Sequence, residues 1–171
     1  GFTVSVTSPD VVTADQHRWL LTGLTVDGSS QTLSNTVSYT AVDAAHTILF
    51  GWTEQFYITV TSAHGSPTVS DWVNSGGSFS TSVTSPDGDA SHRWVCTGYA
   101  IDGGASTAGA SYQFTSVIAA HTIVYSWTEQ FYITVTSAHG SPTESSQWVN
   151  AGDGFTVSVT SPDVVTADQH R

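Results

Sequence analysis

The amino-acid sequence predicts an all-β fold made of tandem modules of about 75 residues. Three observations support this prediction. Short segments alternate apolar and polar residues, clusters of Gly, Pro, Asp and Asn separate them, and long stretches of sequence recur at fixed offsets. Segments of this length between such clusters are typical of β-strands joined by turns. No segment of helical length shows an apolar period of about 3.6 residues.

The middle of the chain shows the pattern most clearly. Each alternating segment there stops at a turn signal, such as Gly65-Ser66-Pro67, Ser85-Pro86-Asp87-Gly88 or Asp102-Gly103-Gly104. Gly and Pro favour turns because they adopt backbone angles that strands do not use. In chain order, the predicted strands are Tyr57–Ser62, Thr68–Val73, Phe79–Thr84, Arg93–Tyr99, Ser111–Val117 and Thr122–Trp127.

Internal repetition divides the chain. Thr53–Thr68 recurs unchanged as Thr128–Thr143, at an offset of 75 residues. Gly1–Arg18 recurs unchanged as Gly154–Arg171, at an offset of 153 residues. Self-similarity at a fixed period is the signature of tandem arrays. We therefore expect residues 1–52 to be the later part of a module, 53–127 a complete module, and 128–171 the opening part of a further one.

Two architectures follow from this division. In the first, the 171 residues are a window cut from one long chain that runs through the array. In the second, the end of one subunit completes the start of the next by strand addition, which gives an open-ended fibre. The predicted donor residues are Phe131, Tyr132, Ile133 and Val135. The overlap of 154–171 with 1–18 favours the continuous chain, because both copies of this segment would compete for one place.

The charge composition excludes several kinds of partner. The formal net charge is −11, although charged residues make up only 10% of the chain. Three arginines are the only Lys or Arg residues. Such a chain has no basic surface for a phosphate backbone or an anionic membrane, so we expect no nucleic-acid partner. No apolar run approaches the ~18 residues of a membrane span. The lack of an initiator Met and of a signal peptide fits a processed or cropped chain.

The six tryptophans form three pairs at equivalent places in the repeats. We interpret Trp19, Trp72, Trp94 and Trp148 as core aromatics, because large rings stabilise small modules that have little else to bury. The alternative is a stacking surface for sugars. Trp52 and Trp127 precede a repeated Glu-Gln pair and are expected to stiffen the link between modules. The predicted inter-module junction thus comprises Trp52, Glu54, Gln55, Trp127, Glu129 and Gln130.

The sequence offers little catalytic or metal chemistry. The repeated histidines lack the short spacing and the thiolates of a zinc site, so we interpret them as hydrogen-bonding groups at turns or core edges. No Gly-x-Ser-x-Gly elbow is present. We therefore predict no catalytic residues, no metal site and no cofactor. Cys96, the only cysteine, aligns with Leu21 and is interpreted as an apolar packing residue, with an interchain disulfide or a reactive thiol as alternatives.

Several short patterns resemble the divergent InlB B-repeat family. They are Phe56–Val60, a Gly-Ser-Pro turn, Trp72-Val73-x-x-Gly76, Arg93-Trp94-x-x-x-Gly98, Ser111–Phe114, and Ala119–Ile123 followed by Trp127. The resemblance covers about Phe56 to Trp127 and the partial modules on either side. It implies a small β-grasp-like module, with a β-sandwich-like module as the alternative. It also implies tandem arrays on secreted and cell-surface proteins of bacteria and archaea, which act as stalks, spacers or adhesion modules and are not enzymes.

The sequence thus predicts a structural extracellular or cell-surface protein, a stalk or fibre whose modules continue head to tail. Its expected partners are identical copies of itself or further modules of the same chain. The alternative function is an adhesin or an array of carbohydrate-binding modules that uses exposed aromatic rings on a glycan.

Overall fold

The computed structural model describes residues 1–12 and 16–161. The described residues form thirteen β-strands and no helix, which confirms the predicted all-β class. The strands are β1 Phe2–Ser5, β2 Asp10–Val12, β3 His17–Val26, β4 Ser29–Ser30, β5 Thr36–Tyr39, β6 Ile48–Thr61, β7 Asp71–Asn74, β8 Phe79–Ser82, β9 Asp87–Gly88, β10 His92–Ile101, β11 Ser111–Phe114, β12 His121–Ile133 and β13 Gln147–Asn150.

Most strands belong to one large mixed sheet. Its strand order is β2-β3-β6-β12-β10-β9, while β4 pairs with β3, β7 with β6, and β13 with β12. All of these pairings are antiparallel except one, in which Ile58–Thr61 of β6 lie parallel to His121–Val124 of β12. Two separate antiparallel ribbons, β1 with β5 and β8 with β11, complete the architecture.

The two central strands are longer than predicted. The expected strands Tyr57–Ser62 and Thr122–Trp127 are parts of β6, which has 14 residues, and β12, which has 13 residues. Both long strands run straight through the predicted module boundaries at 52/53 and 127/128. No Gly or Pro interrupts Trp52–Thr61, and its β-branched and aromatic residues favour an extended backbone. The two predicted boundaries therefore fall inside strands rather than in linkers.

The main core lies between the large sheet and the β8–β11 ribbon. Ile58 and Val117 are both 0% exposed and pack with Val73 and Phe114. A second cluster, formed by Val83, Ile123 and Tyr125, adjoins the first through Val60, Ile101 and Tyr112, which contact both. The half-buried Cys96 packs against this second cluster, and its thiol lies 3.6 Å from the carbonyl oxygen of Gly98.

The turn after β6 folds back onto the sheet at Gly65. The Gly65 amide donates to the Asp87 carboxylate at 2.8 Å, and the Thr84 amide donates to the Gly65 carbonyl at 2.6 Å. Gly65 has a φ of 77°. A Cβ atom there would lie 2.5 Å from the Trp127 ring and 2.4 Å from the Thr84 carbonyl oxygen. Only glycine fits this close approach.

Replacing Gly65 with alanine is expected to destabilise the fold by about 2–3 kcal/mol, because the left-handed backbone and the steric clash both oppose a Cβ atom. Gly76→Ala is the matched control, since Gly76 has a φ of 78° but no atom within 4 Å of the added Cβ. Urea unfolding of both variants checks the prediction. Equal losses of unfolding free energy would contradict the close packing of Gly65 on Trp127.

Candidate functional site

The structure brings part of the predicted junction together with residues that the sequence did not single out. Arg18 of β3, Gln55 of β6 and Asn74 of β7 are register partners, so their side chains form one row across three strands. Arg18 Nε donates to Gln55 Oε1 at 2.7 Å, and Gln55 Nε2 donates to Asn74 Oδ1 at 2.8 Å. The Arg18 guanidinium also lies 4.3 Å from the centre of the Trp72 ring. We call these four residues the first junction cluster.

The same contacts recur further along the chain. Arg93 of β10 donates to Gln130 of β12 at 2.8 Å, and Gln130 donates to Asn150 of β13 at 2.9 Å. The Arg93 guanidinium lies 4.0 Å from the centre of the Trp148 ring. Arg93, Gln130, Trp148 and Asn150 form the second junction cluster. Arg18 and Arg93 therefore occupy equivalent places, and each combines a hydrogen bond with a cation–π contact.

The opposite face of the long strands carries a second set of paired side chains. His92 Nε2 lies 2.8 Å from Glu129 Oε1, and the His92 ring stacks on Phe131 at 4.8 Å. In the first copy of this arrangement, His17 Nε2 lies 3.1 Å from Glu54 Oε1 and its ring stacks on a phenylalanine at 5.0 Å. Side chains thus cross both faces of each junction, which stiffens the strand where two modules are predicted to meet.

The two junction tryptophans lie just before these clusters in β6 and β12. Both Trp52 and Trp127 are half-buried. Trp127 Nε1 donates to Ser62 Oγ at 2.9 Å, and its ring meets His64 edge-on at 5.7 Å. Trp127 therefore holds the turn that follows β6, within residues 53–127.

The prediction that four tryptophans are core aromatics is corrected by their exposure. Trp19 is 38% exposed, and Trp72, Trp94 and Trp148 are only half-buried. The reason is strand alternation: in β7 the neighbouring Val73 faces the core, so Trp72 lies on the outer face under an arginine. Trp94 likewise offers one face to His64, with ring centres 4.2 Å apart.

The predicted donor segment pairs with β13 along one edge, and its first two residues are also bonded to His92 and Ser91 along the other. Phe131, Tyr132 and Ile133 are register partners of β13 residues, and the Val135 amide donates to Ser146 Oγ at 2.8 Å. Phe131 and Tyr132 nevertheless remain exposed at 43% and 39%. The segment therefore exposes two aromatic rings although its backbone is already hydrogen-bonded to β13.

Two turn aspartates, Asp27 and Asp102, form a further repeated arrangement, and only Asp102 is part of a turn signal named from the sequence. His46 Nδ1 donates to Asp27 Oδ2 at 2.8 Å, and the Thr47 amide donates to Asp27 Oδ1 at 2.8 Å. His121, Thr122 and Asp102 repeat the arrangement at 2.7 and 2.8 Å. These histidines are therefore hydrogen-bonding groups at turns. The repeated Asp-Gly pair, a turn signal, was the available clue to the two aspartates.

Hydrogen bonding changes the acidity of these aspartates. The hydrogen bond from His46, followed by that from the Thr47 amide, lowers the pKa of Asp27 below its ordinary value. Burial alone would raise the pKa of Asp102, but the Thr122 amide and His121 together lower it. A carboxylate that accepts such hydrogen bonds is favoured in its charged form.

Within residues 1–12 and 16–161, no three His, Cys, Asp or Glu side chains are grouped so that they could hold a metal ion. The same part of the chain contains no helix that is long and apolar enough to cross a membrane. The contacts of the junction clusters and of the opposite face are side-chain hydrogen bonds, cation–π contacts, stacked rings and histidine–carboxylate pairs between neighbouring strands.

Gln55→Ala is expected to lower the free energy of unfolding by about 1–3 kcal/mol, because it leaves the Arg18 and Asn74 groups without their partner in a half-buried row. Gln55 is 8% exposed. Gln113→Ala removes the same side chain from an exposed position of β11 and is the matched control, expected to change stability by less than about 0.5 kcal/mol. Chemical denaturation measures both. A loss at Gln113 as large as that at Gln55 would refute the role of the row.

Acid is expected to destabilise the protein through Asp27 and Asp102. Their pKa values in the folded chain lie below the ordinary aspartate value, so their contribution is complete above that ordinary value and is lost as pH falls through the folded-state pKa. The double variant Asp27→Asn/Asp102→Asn should therefore melt lower at neutral pH and lose less stability on acidification. Melting curves at neutral pH and at about pH 2.5 check this, with the exposed Asp43→Asn as control. Parallel losses in both proteins would contradict it.

Comparison with protein-family models, with curated proteins and with solved structures found no match. The resemblance to the divergent InlB B-repeat family therefore stays a prediction from the residues quoted above. The two junction clusters and the long strands that carry them are the repeated features of this structure that bear on function.

Proposed function

We propose that this chain is a structural extracellular repeat protein, a stalk or fibre built from tandem β-modules that continue head to tail. The observation that carries the proposal is the recurrence of the Arg–Gln–Asn row at both junctions, each time in the middle of an unbroken strand. Because the contacts at the junction recur together with the module, further modules can be added in the same way to give an extended structure.

The joints are suited to a stalk because they are not linkers. Modules of a chain are commonly joined by exposed, flexible segments that permit relative motion. Here the backbone between residues 52 and 56 is part of β6, paired with β3 throughout and with β7 from Gln55 onward. Bending at this point would break ladder hydrogen bonds and the buried side-chain row together.

The surface chemistry also fits an exposed structural role. The described part of the chain has only two Lys or Arg side chains, and both are engaged in the junction clusters. We include in the proposal that the protein is not an enzyme, that it lies outside the cell or on its surface, and that its partners are further modules of the same kind. The family resemblance supports the same location and role.

A rigid joint predicts that both sides of the 52/53 position tumble together. Backbone ¹⁵N relaxation should give β3 and β10 the same rotational correlation time, because β6 connects their two halves of the sheet without a hinge. The double variant Gln55→Ala/Gln130→Ala should show faster local motion at the junctions, whereas the exposed Gln113→Ala should not. Independent correlation times in the unaltered protein would contradict a stalk of stiff joints.

The cellular role is tested on the native source. Antibodies raised against the purified chain should label threads or stalks outside intact cells in immunogold electron microscopy. Preimmune serum is the control. Label confined to the cell interior would overturn the proposed extracellular structural function, whatever the stiffness of the joints.

One observation favours the second candidate, an adhesin or carbohydrate-binding array. Val11, Gln16, Tyr57 and Trp72 line a shallow cavity of about 310 Å³, in which the two aromatic ring centres are 5.1 Å apart. Aromatic surface beside polar side chains is a common setting for small-molecule recognition. If this is the function, a glycan array should give binding that Trp72→Ala removes and Gln113→Ala keeps. Absence of binding by the unaltered protein would discard this candidate.

A further inference from the structure

The complete core of residues 53–127 shows how an opening strand enters a module. Ile58–Thr61 run parallel to His121–Val124, in the register Ile58 with His121 and Thr61 with Val124. This pairing inserts Ile58 between the sheet and the β8–β11 ribbon, where it is 0% exposed and packs on Phe114 and Val117. The inserted strand is therefore the element that closes the core.

Residues 1–52 contain the receiving half of the same arrangement. At the 75-residue offset, Tyr39, Val42 and Ile48 stand where Phe114, Val117 and Ile123 stand in the complete core. Together with Phe2 and His46, they line an open groove of about 320 Å³. Val42 is 56% exposed, whereas its counterpart Val117 is 0% exposed. The difference corresponds to the missing neighbour that Ile58 supplies in the complete core.

Residues 131–136 contain the inserting half. Phe131–Thr136 are identical in sequence to Phe56–Thr61. They also make the same local contacts. The Tyr132 amide donates to the Ser91 carbonyl, and the equivalent Tyr57 amide donates to the Gln16 carbonyl. The Val135 amide donates to the Ser146 hydroxyl, and the equivalent Val60 amide donates to the Ser70 hydroxyl. In β6, the residues that follow Tyr57, Ile58–Thr61, pair with β12 along this same edge. Among the described residues, no strand pairs with Ile133–Thr136 along the equivalent edge.

We propose that the groove formed by Phe2, Tyr39, Val42, His46 and Ile48 binds the segment Phe131–Thr136 of a second copy of this chain. The segment adds as a parallel strand beside His46–Leu49, with Ile133 opposite His46 and Thr136 opposite Leu49. Ile133 then fills the groove as Ile58 fills the complete core. This inference deepens the proposed head-to-tail fibre and rests on it.

The observations favour a second copy as the occupant because the fit is specific in sequence and register. The donor sequence is identical to one that this fold already buries against residues equivalent to the groove. Phe131 of the donor and Phe2 of the acceptor are exposed at 43% and 52%, whereas their counterparts Phe56 and Phe79 pack against the complete core. Burial of these apolar groups drives association, since each fully buried side chain contributes about 1.5–3 kcal/mol.

The described parts of the two duplicated segments, residues 1–12 and 16–18 and residues 154–161, leave this docking open. Phe2–Ser5 of the acceptor are already held by four register pairs with β5. The described part of the donor's copy contacts residues 142 and 143 through a bridge between Pro142 and Val159 and through two hydrogen bonds. The Thr143 amide donates to the Ser158 carbonyl at 2.8 Å, and the Ser158 amide donates to the Thr143 hydroxyl at 3.1 Å. In the complete core, the matching bond runs from Thr68 to Ser82. Ser5 of the acceptor, the counterpart of Ser82, can therefore replace Ser158.

The contact is heterologous, so it generates chains of copies instead of a closed dimer. Sedimentation velocity of the purified full chain should show species that lengthen with concentration. Because each copy carries a net charge of −11, added salt should strengthen association by screening the repulsion between copies. A monomer at all concentrations and salt levels would overturn the proposal.

Two substitutions separate the donor from the acceptor. Ile133→Asp should disable the donor, Val42→Asp should disable the groove, and each variant alone should be at least tenfold weaker in self-association. Mixed together, they should form a one-to-one dimer and nothing longer, because one intact donor meets one intact groove. Val69→Asp, at a side chain that is 82% exposed and outside the groove, is the matched control and should assemble normally. Circular dichroism checks that each variant is folded.

The register is tested by disulfide trapping in a Cys96→Ser background. Thr47→Cys and Thr134→Cys on separate copies should crosslink on oxidation, since these residues are opposite each other in the proposed pairing. Thr47→Cys with Thr136→Cys is displaced by two residues, about 6.6 Å, and should crosslink at least tenfold more slowly. Equal crosslinking of both pairs, or normal assembly of Ile133→Asp, would overturn the docking.

Failure of this inference is distinguishable from failure of the proposed function. If the purified chain stays monomeric while denatured native material runs far above 18.0 kDa, copies do not dock and the stalk is one continuous chain. In that case the proposed function survives and the docking does not. If immunogold label is confined to the cell interior, the proposed function fails even where sedimentation shows assembly.

Discussion

The side chain of Gln55, and that of Gln130 in the second copy, is the contact on which the arrangement of the strands depends. Each glutamine is located where a long strand is flanked on both edges, by β3 and β7 in one case and by β10 and β13 in the other. Its amide accepts from an arginine on one side and donates to an asparagine on the other. A carboxylate could not donate, and a lysine could not accept, so the amide is the group that satisfies both neighbours.

The junction also determines how the cores are shared. The complete core is small, and its central residue Ile58 comes from β6, the same strand that pairs with β3 upstream. Small β-units bury a limited fraction of their surface and are correspondingly marginal on their own. Sharing one strand between neighbouring units lets each unit stabilise the next, as in arrays whose stability is a sum of unit and interface terms. In the docking proposed above, the groove at Val42 and the exposed segment at Phe131 would be the two halves of one such shared interface.

Much of the fold could be predicted from local sequence because turn chemistry is local. The Asp102-Gly103-Gly104 and Gly65-Ser66-Pro67 signals lie between strands as predicted, and alternation indicates β structure. Asp87-Gly88, predicted as part of a turn, is instead the short strand β9, which pairs with β10. The length of β6 and β12 could not be predicted in this way, because a strand that simply continues leaves no signal at a module boundary. The 75-residue offset shows where the sequence pattern repeats. It does not show whether the backbone turns at the boundary between two repeats.

The candidate site was only partly predictable for a different reason. Gln55 and Gln130 belong to a repeated motif that the sequence shows directly. Their partners are distant in sequence and lie beside them only because of the strand register; they are Arg18 and Asn74 in one case and Arg93 and Asn150 in the other. The size of the tryptophans predicts that they lie in the core. In β7, however, strand alternation directs Val73 to the core and Trp72 to the outer face of the sheet. Cross-strand partners and the inward face both depend on pairing, which a single sequence does not specify.

The parallel pairing of Ile58–Thr61 with His121–Val124 has a mechanical consequence. The chain enters the complete unit along β6 and leaves it along β12, so a pull on the two ends drives these strands in opposite directions along their shared axis. The hydrogen bonds between them then lie across the force and carry it together, instead of opening one after another as at the end of a hairpin. Such a unit resists tension through all of these hydrogen bonds at once.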